Sequence, residues 1–106
     1  MMLLWVELQA RPGAGDQLAD LLAGLAQQAG SEPGILFYAV HRQQADQNAL
    51  VLYELYQDRA AWETHMALPA VQAVLQQFDA LLVQPPRLLF CDPLAWSGPG
   101  PLPPCR

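Results

Sequence analysis

With 106 residues the chain is the size of one small domain, large enough for a single core and too short for two, so its function rests on one scaffold or on copies of it. A hydrophobic fraction of 53% beside a charged fraction of 14% excludes a disordered chain and implies a well-buried globular one. The net charge of -5, with Arg11, Arg42, Arg59, Arg87 and Arg106 scattered along the chain, lacks the basic field that neutralises phosphates and argues against nucleic acid as a partner.

The opening "MMLLWVE" is an apolar run broken early by Glu7 with no basic residue before it, too short for a signal peptide or a membrane span. The expected location is cytoplasmic. Cys91 and Cys105 have no CxxC spacing and read there as two reduced thiols, with a disulfide between strand and tail the lesser alternative.

"LLWVELQA" (Leu3 to Ala10) has the partial period-two alternation of a strand, and "RPGAGD" ends it. From Asp16 the residues Leu18, Leu21, Leu22, Leu25, Ala26 and Ala29 recur at helical spacing up to Gly30. "SEPG" punctuates the chain before a second strand, "ILFYAVHR" (Ile35 to Arg42). A polar loop, "QQADQN", joins it as a hairpin to a third strand, Ala49 to Gln57. Asp58 is placed to cap a short helix running through Met66. Pro69 suits the first turn of a further helix whose face is Val71, Val74, Leu75, Phe78, Leu81 and Leu82. A last strand runs from Arg87 to about Asp92. The domain spans residues 1–94, and a Pro- and Gly-rich tail, 95–106, cannot continue regular structure.

This order predicts an α+β fold of the ferredoxin-like, split βαβ kind: a four-stranded antiparallel sheet with its helices on one face. In a solvated sheet the uncovered face should be polar. Here Leu50, Leu52 and Tyr56 alternate with Val51, Tyr53 and Leu55, and Phe37 and Ala39 with Leu36, Tyr38 and Val40, so both faces call for burial. A second copy, sheet to sheet, is the expected cover, and a homodimer is predicted.

The stretches "EPG" (Glu32 to Gly34), "FYAVHR" (Phe37 to Arg42) and "VLYELYQDRAAWETH" (Val51 to His65), with the helix start at Pro69, give the chain a resemblance to the antibiotic biosynthesis monooxygenase family over about Met1 to Leu94. The resemblance implies a dimeric α+β barrel and places the chain near small quinol monooxygenases that use no cofactor. The family often carries a Pro-His pair after the histidine at the position of His65, and here that pair reads Pro69-Ala70. The haem-degrading branch uses an Asn, a Trp and a His at positions that fall on Val6, His65 and about Leu75, and the apolar Val and Leu cannot serve iron.

No HxxxH, HExxH or CxxC occurs, so no metal is expected, and phosphate-loop and dinucleotide signatures are absent. The chemistry that the resemblance implies is oxidation of a small quinol or polycyclic phenol by dioxygen, in which the deprotonated substrate supplies the electrons. His65 is the candidate catalytic base, since imidazole exchanges its proton near neutrality, and i to i+3 spacing places Trp62 beside it. Trp62, Tyr38, Tyr53 and Glu54 are the candidate substrate contacts. Each has a plainer reading: a core histidine, a packing tryptophan, ordinary strand tyrosines and, for Glu54, the favoured one, a contact across the dimer. The competing functions are a dimeric small-molecule-binding domain without turnover, and an isomerase or hydrolase of a small signalling metabolite.

Overall fold

The computed structural model of the protein describes residues 1–98. Its elements are β1 (Met2–Gln9), α1 (Gly15–Ala29), β2 (Ile35–Arg42), β3 (Ala49–Tyr56), α2 (Arg59–Met66), α3 (Pro69–Leu75), α4 (Phe78–Leu81) and β4 (Arg87–Cys91). The strands form one antiparallel sheet in the order β2-β3-β1-β4, the ferredoxin-like arrangement expected from the order of the elements. The part of the Pro-rich tail from residue 99 onward, Cys105 included, lies outside the described residues, and Cys91 is exposed at the end of β4.

Register decides which residues meet the helices. Val6 is paired with Leu52 on one side and Leu88 on the other, and Val40 with Leu52, so these residues share a face. Strand alternation puts Met2, Leu4 and Leu8 of β1 on that face, together with Leu50, Glu54 and Tyr56 of β3 and Tyr38 of β2. α1 lays Leu18, Leu22, Leu25 and Ala29 over it, all buried, while Leu21 and Ala26 sit half-buried at the flank of the stripe. The opposite face carries Trp5, Phe37, Tyr53, Leu55 and Leu89, with Glu7, Gln9, His41 and Arg87 toward one end. There Glu7 accepts hydrogen bonds from Trp5 Nε1 at 3.3 Å and from Arg87 Nη1 at 3.4 Å.

α2 begins as its sequence implies: the Asp58 side chain accepts a hydrogen bond from the Ala61 amide at 2.8 Å. Pro69 stands at the first position of α3. The helix expected to run from Pro69 through Leu82 is instead broken into α3 and α4. Gln76 and Gln77 are exposed and have no packing to hold them, and the backbone tightens there, the Gln77 amide donating to Val74 O at 3.0 Å. Leu82 must also leave the helix, because it forms a bridge with Ala10 and the Val83 amide donates to Gln9 O. The apolar stripe survives the break, with Val71, Val74, Leu81 and Leu82 in the core.

Gly34 fixes how the α1–β2 turn sits against α2. A Cβ at this position would lie 2.6 Å from Ala61 Cβ, and the Gly34 carbonyl accepts a hydrogen bond from the Gln57 amide. The turn is thereby pressed onto the helix that carries His65. Replacing Gly34 with Ala is expected to destabilise the fold by about 1–3 kcal/mol through overpacking. A urea midpoint unchanged from wild type would show that the turn gives way without cost.

Candidate active site

The helix-covered face is not packed solid. Between it and the helices lies a cavity of about 560 Å³, walled chiefly by Leu4, Val6, Leu22, Leu52, Val71 and Phe78. At the α2 end of the sheet Tyr38, Glu54, Trp62 and His65 line it, and Arg11 and Asp79 line it elsewhere.

His65 is 2% exposed and comes from the last turn of α2. Its Nδ1 lies 3.1 Å from both carboxylate oxygens of Glu32. A carboxylate only accepts, so Nδ1 holds the proton in this contact. In the neutral imidazole the lone pair is then on Nε2, which makes no hydrogen bond to the described residues. The Tyr38 and Tyr56 rings flank the imidazole, with centroids 5.7 Å and 5.8 Å away.

Glu54 is 4% exposed, with an apolar floor of Leu4 and Leu52 around it. The Tyr56 hydroxyl donates to its Oε1 at 2.5 Å. Burial pushes the carboxyl up to about 7; the Tyr56 hydrogen bond opposes that rise, and the negative charge of Glu32 adds to it. A carboxyl in this state exchanges a proton at neutral pH, as a general acid or base must. Tyr56 and Tyr38 are both displaced upward, in each case by burial first and then by the charge of Glu54, so they act as hydroxyl donors and not as phenolates.

Trp62 follows the helical spacing onto the same wall as His65. Its ring meets Phe90 edge to face at 5.1 Å, and the Arg59 guanidinium lies over both rings. Its Nε1 is the one buried side-chain polar atom among the described residues without a hydrogen-bond partner.

The structure thus brings His65, Trp62, Tyr38 and Glu54 to one cavity and corrects two of the sequence expectations. Glu54 does not point to a dimer partner: it pairs with Leu4 and Tyr38 in register and lies on the helix-covered face. Tyr53 belongs to the other face, edge to face with Phe37 at 5.6 Å, and does not line the cavity. Two polar neighbours of these residues are not singled out by the sequence pattern. Glu32 stands before a Pro-Gly turn and reads as solvated, and its one cue is the close approach that Gly34 permits. Tyr56 reads as core, although i to i+2 spacing on a strand sets it beside Glu54. Val6 and Leu75 line the cavity with apolar side chains, so of the positions that would serve haem only His65 offers a ligating atom. Among the described residues no group of three His, Cys, Asp or Glu side chains is placed to hold a metal ion, and no helix is long and apolar enough to cross a membrane.

A largely apolar cavity thus lies under the helices of a ferredoxin-like sheet, with a histidine and a carboxyl at one end. The antibiotic biosynthesis monooxygenase family model matches residues 1–77, and the chain belongs to that family. A solved antibiotic biosynthesis monooxygenase is similar over 90% of this chain and 100% of its own, at 24% identity and a TM-score of 0.83. Rv0793 from Mycobacterium tuberculosis is similar over 92% of this chain and 98% of its own, at 25% identity and a TM-score of 0.84. PA3566 from Pseudomonas aeruginosa shares 26% identity over 89% of this chain and 94% of its own, with a TM-score of 0.83. The curated proteins contain no match.

The raised carboxyl of Glu54 makes stability depend on pH with a defined sign. Unfolded, the group gives up its proton near 4.5; folded, it keeps it to about 7. Between these values the folded state holds the extra proton, so this contribution is full below the lower value and is lost as pH rises through the window, at up to about 1.4 kcal/mol per unit. Glu54→Gln should therefore gain stability relative to wild type as pH goes from 4.5 to 7.5, read by urea unfolding at each pH; a constant difference would mean that folding leaves the proton affinity of Glu54 unchanged.

Proposed function

We propose that this chain is a cytoplasmic, homodimeric, cofactor-independent monooxygenase that oxidises a small quinol or polycyclic phenol with dioxygen. One observation carries the reading: His65, held through Nδ1 by Glu32, lines a largely apolar cavity of about 560 Å³, large enough for a fused aromatic ring system. The family membership and the solved monooxygenase of the same fold support it.

In this reading the substrate hydroxyl donates its proton to His65 Nε2, and Glu32 stabilises the imidazolium that forms. The apolar walls keep water from the ring anion and leave its electrons to dioxygen. One electron passes to dioxygen, and the two radicals join at a ring carbon as a hydroperoxide. Loss of water then breaks the O–O bond: the ring carbon gives up its hydrogen as a proton, the outer oxygen leaves with a proton, and the inner oxygen stays as a new carbonyl. A quinol and one dioxygen thus become a hydroxyquinone and one water. Glu54, exchanging its proton near neutrality, suits the delivery to the departing oxygen.

Oxygen uptake with reduced naphthoquinones or anthrones, without added metal or flavin, tests the reading. His65→Ala is expected to lose on the order of a hundredfold in rate or more, and Glu32→Gln a smaller part of it. Melting temperatures measured alongside separate lost chemistry from lost folding. Wild-type protein that binds these compounds without consuming oxygen would instead mark a binding domain.

The homodimer rests on the uncovered sheet face, where Trp5, Phe37, Tyr53 and Leu89 cluster beside the polar end made by Glu7, Gln9 and Arg87. Two such faces packed together would bury the apolar half. Sedimentation at micromolar concentration is expected to return twice the chain mass, and Tyr53→Arg to return a folded monomer. A wild-type monomer at that concentration removes the dimer from the proposal.

A further inference from the structure

The cavity has two chemically different ends. β1 forms its floor with Leu4, Val6 and Leu8, and Glu54 is paired with Leu4 at the inner end. Past Leu8, at the other end, Arg11 and Asp79 line the mouth. The floor from Leu4 to Leu8 is about 13 Å long at a rise of about 3.3 Å per residue.

Arg11 is fixed in place. Its amide donates to Leu81 O at 2.7 Å, its carbonyl accepts from the Ala14 amide at 2.9 Å, and Nη2 donates to Asp79 O at 3.2 Å. It is also the one arginine among the described residues that has neither a carboxylate nor an aromatic ring as partner. Arg42 pairs with Asp16 and Arg87 with Glu7, while Arg59 lies over Phe90 and Trp62. A guanidinium presents five N–H donors in a planar fork, and here a single bond to a carbonyl occupies it, leaving donors for an anion. The Asp79 carboxylate lies at the same mouth, exposed and outside any ion pair among the described residues, and its charge opposes any anion there, a dianion such as phosphate more strongly than a singly charged carboxylate.

We propose that Arg11 anchors a carboxylate at one end of an elongated aromatic ligand whose phenolic hydroxyl reaches His65 and Glu54 at the other. The hydroxyl end rests on the proposed function; the carboxylate end rests on Arg11 and the length of the cavity. The substrate class narrows accordingly to polycyclic phenols or quinols that carry a carboxylate on the ring or arm remote from the oxidised ring. Neutral phenols enter the same apolar space and lack the anchor.

Calorimetric titration under nitrogen with 6-(4-hydroxyphenyl)-2-naphthoate and with its methyl ester tests the anchor. Wild-type protein should bind the acid about tenfold more tightly than the ester, as a charge-assisted contact to a guanidinium implies. Arg11→Gln should remove that preference and leave ester binding as it was, and Arg11→Lys should keep part of it. Equal affinities of wild type for acid and ester would overturn the proposal, as would failure of the acid to bind. A parallel loss of acid and ester binding in a folded Arg11→Gln protein would also overturn it, since the residue would then act only by holding Asp79. Because oxygen is absent, an acid preference stands whether or not turnover is found, and loss of the preference leaves the oxygenase reading standing.

Discussion

Strand β3 has to bury one of its faces beneath the helices, and with Leu50, Leu52 and Tyr56 on that face Glu54 is carried in with them. The alternation of a strand admits no exception: turning Glu54 outward would turn the three others out too. A carboxyl is therefore held in an apolar interior, and the surroundings answer it. Tyr56, two residues on, supplies a hydrogen bond, and the loss of water raises the proton affinity into the neutral range. The interior beside it stays open as a cavity.

The second polar contact depends on a different kind of constraint. His65 is buried on α2 by helical periodicity, but what orients its ring is Glu32, from a turn more than thirty residues away in sequence. That turn reaches α2 because Gly34 carries no side chain, and the approach to Ala61 is closer than a Cβ would allow. The position of a backbone thus governs which nitrogen of the imidazole is free. His65 and Glu54 line one cavity, one held through Nδ1 by a carboxylate and the other with its proton affinity raised into the neutral range, and the proposed chemistry draws on that difference.

The cavity has a direction as well as a volume. Buried polar groups lie at the end where Leu4 meets Glu54, the middle is aliphatic, and the mouth carries the charged Arg11 and Asp79. Such polarity orders a long ligand and barely affects a short one, so under the proposed function selectivity among aromatic ligands would reside at the mouth, away from His65 and Glu54.

The order of the elements, the hairpin, the Asp58 cap and the helical stripes were all legible in the chain, because hydrophobic period and turn chemistry are local properties. The same local reading placed Trp62 beside His65 and divided the residues of β3 correctly between its two faces. It could not tell which face the helices would cover, and for that reason Glu54 was expected at a dimer contact and Tyr53 near the substrate. Nor could it foresee the break at Gln76 and Gln77, which follows from the need to bring Leu82 beside Ala10. The contact of Glu32 with His65 and the place of Arg11 at the mouth join residues distant in the chain, and such pairings exist only once the sheet register and the helix packing are set. Composition and periodicity determined the kind of fold; the tertiary structure alone decided which polar side chains lost their water together, and the chemistry proposed here depends on that loss.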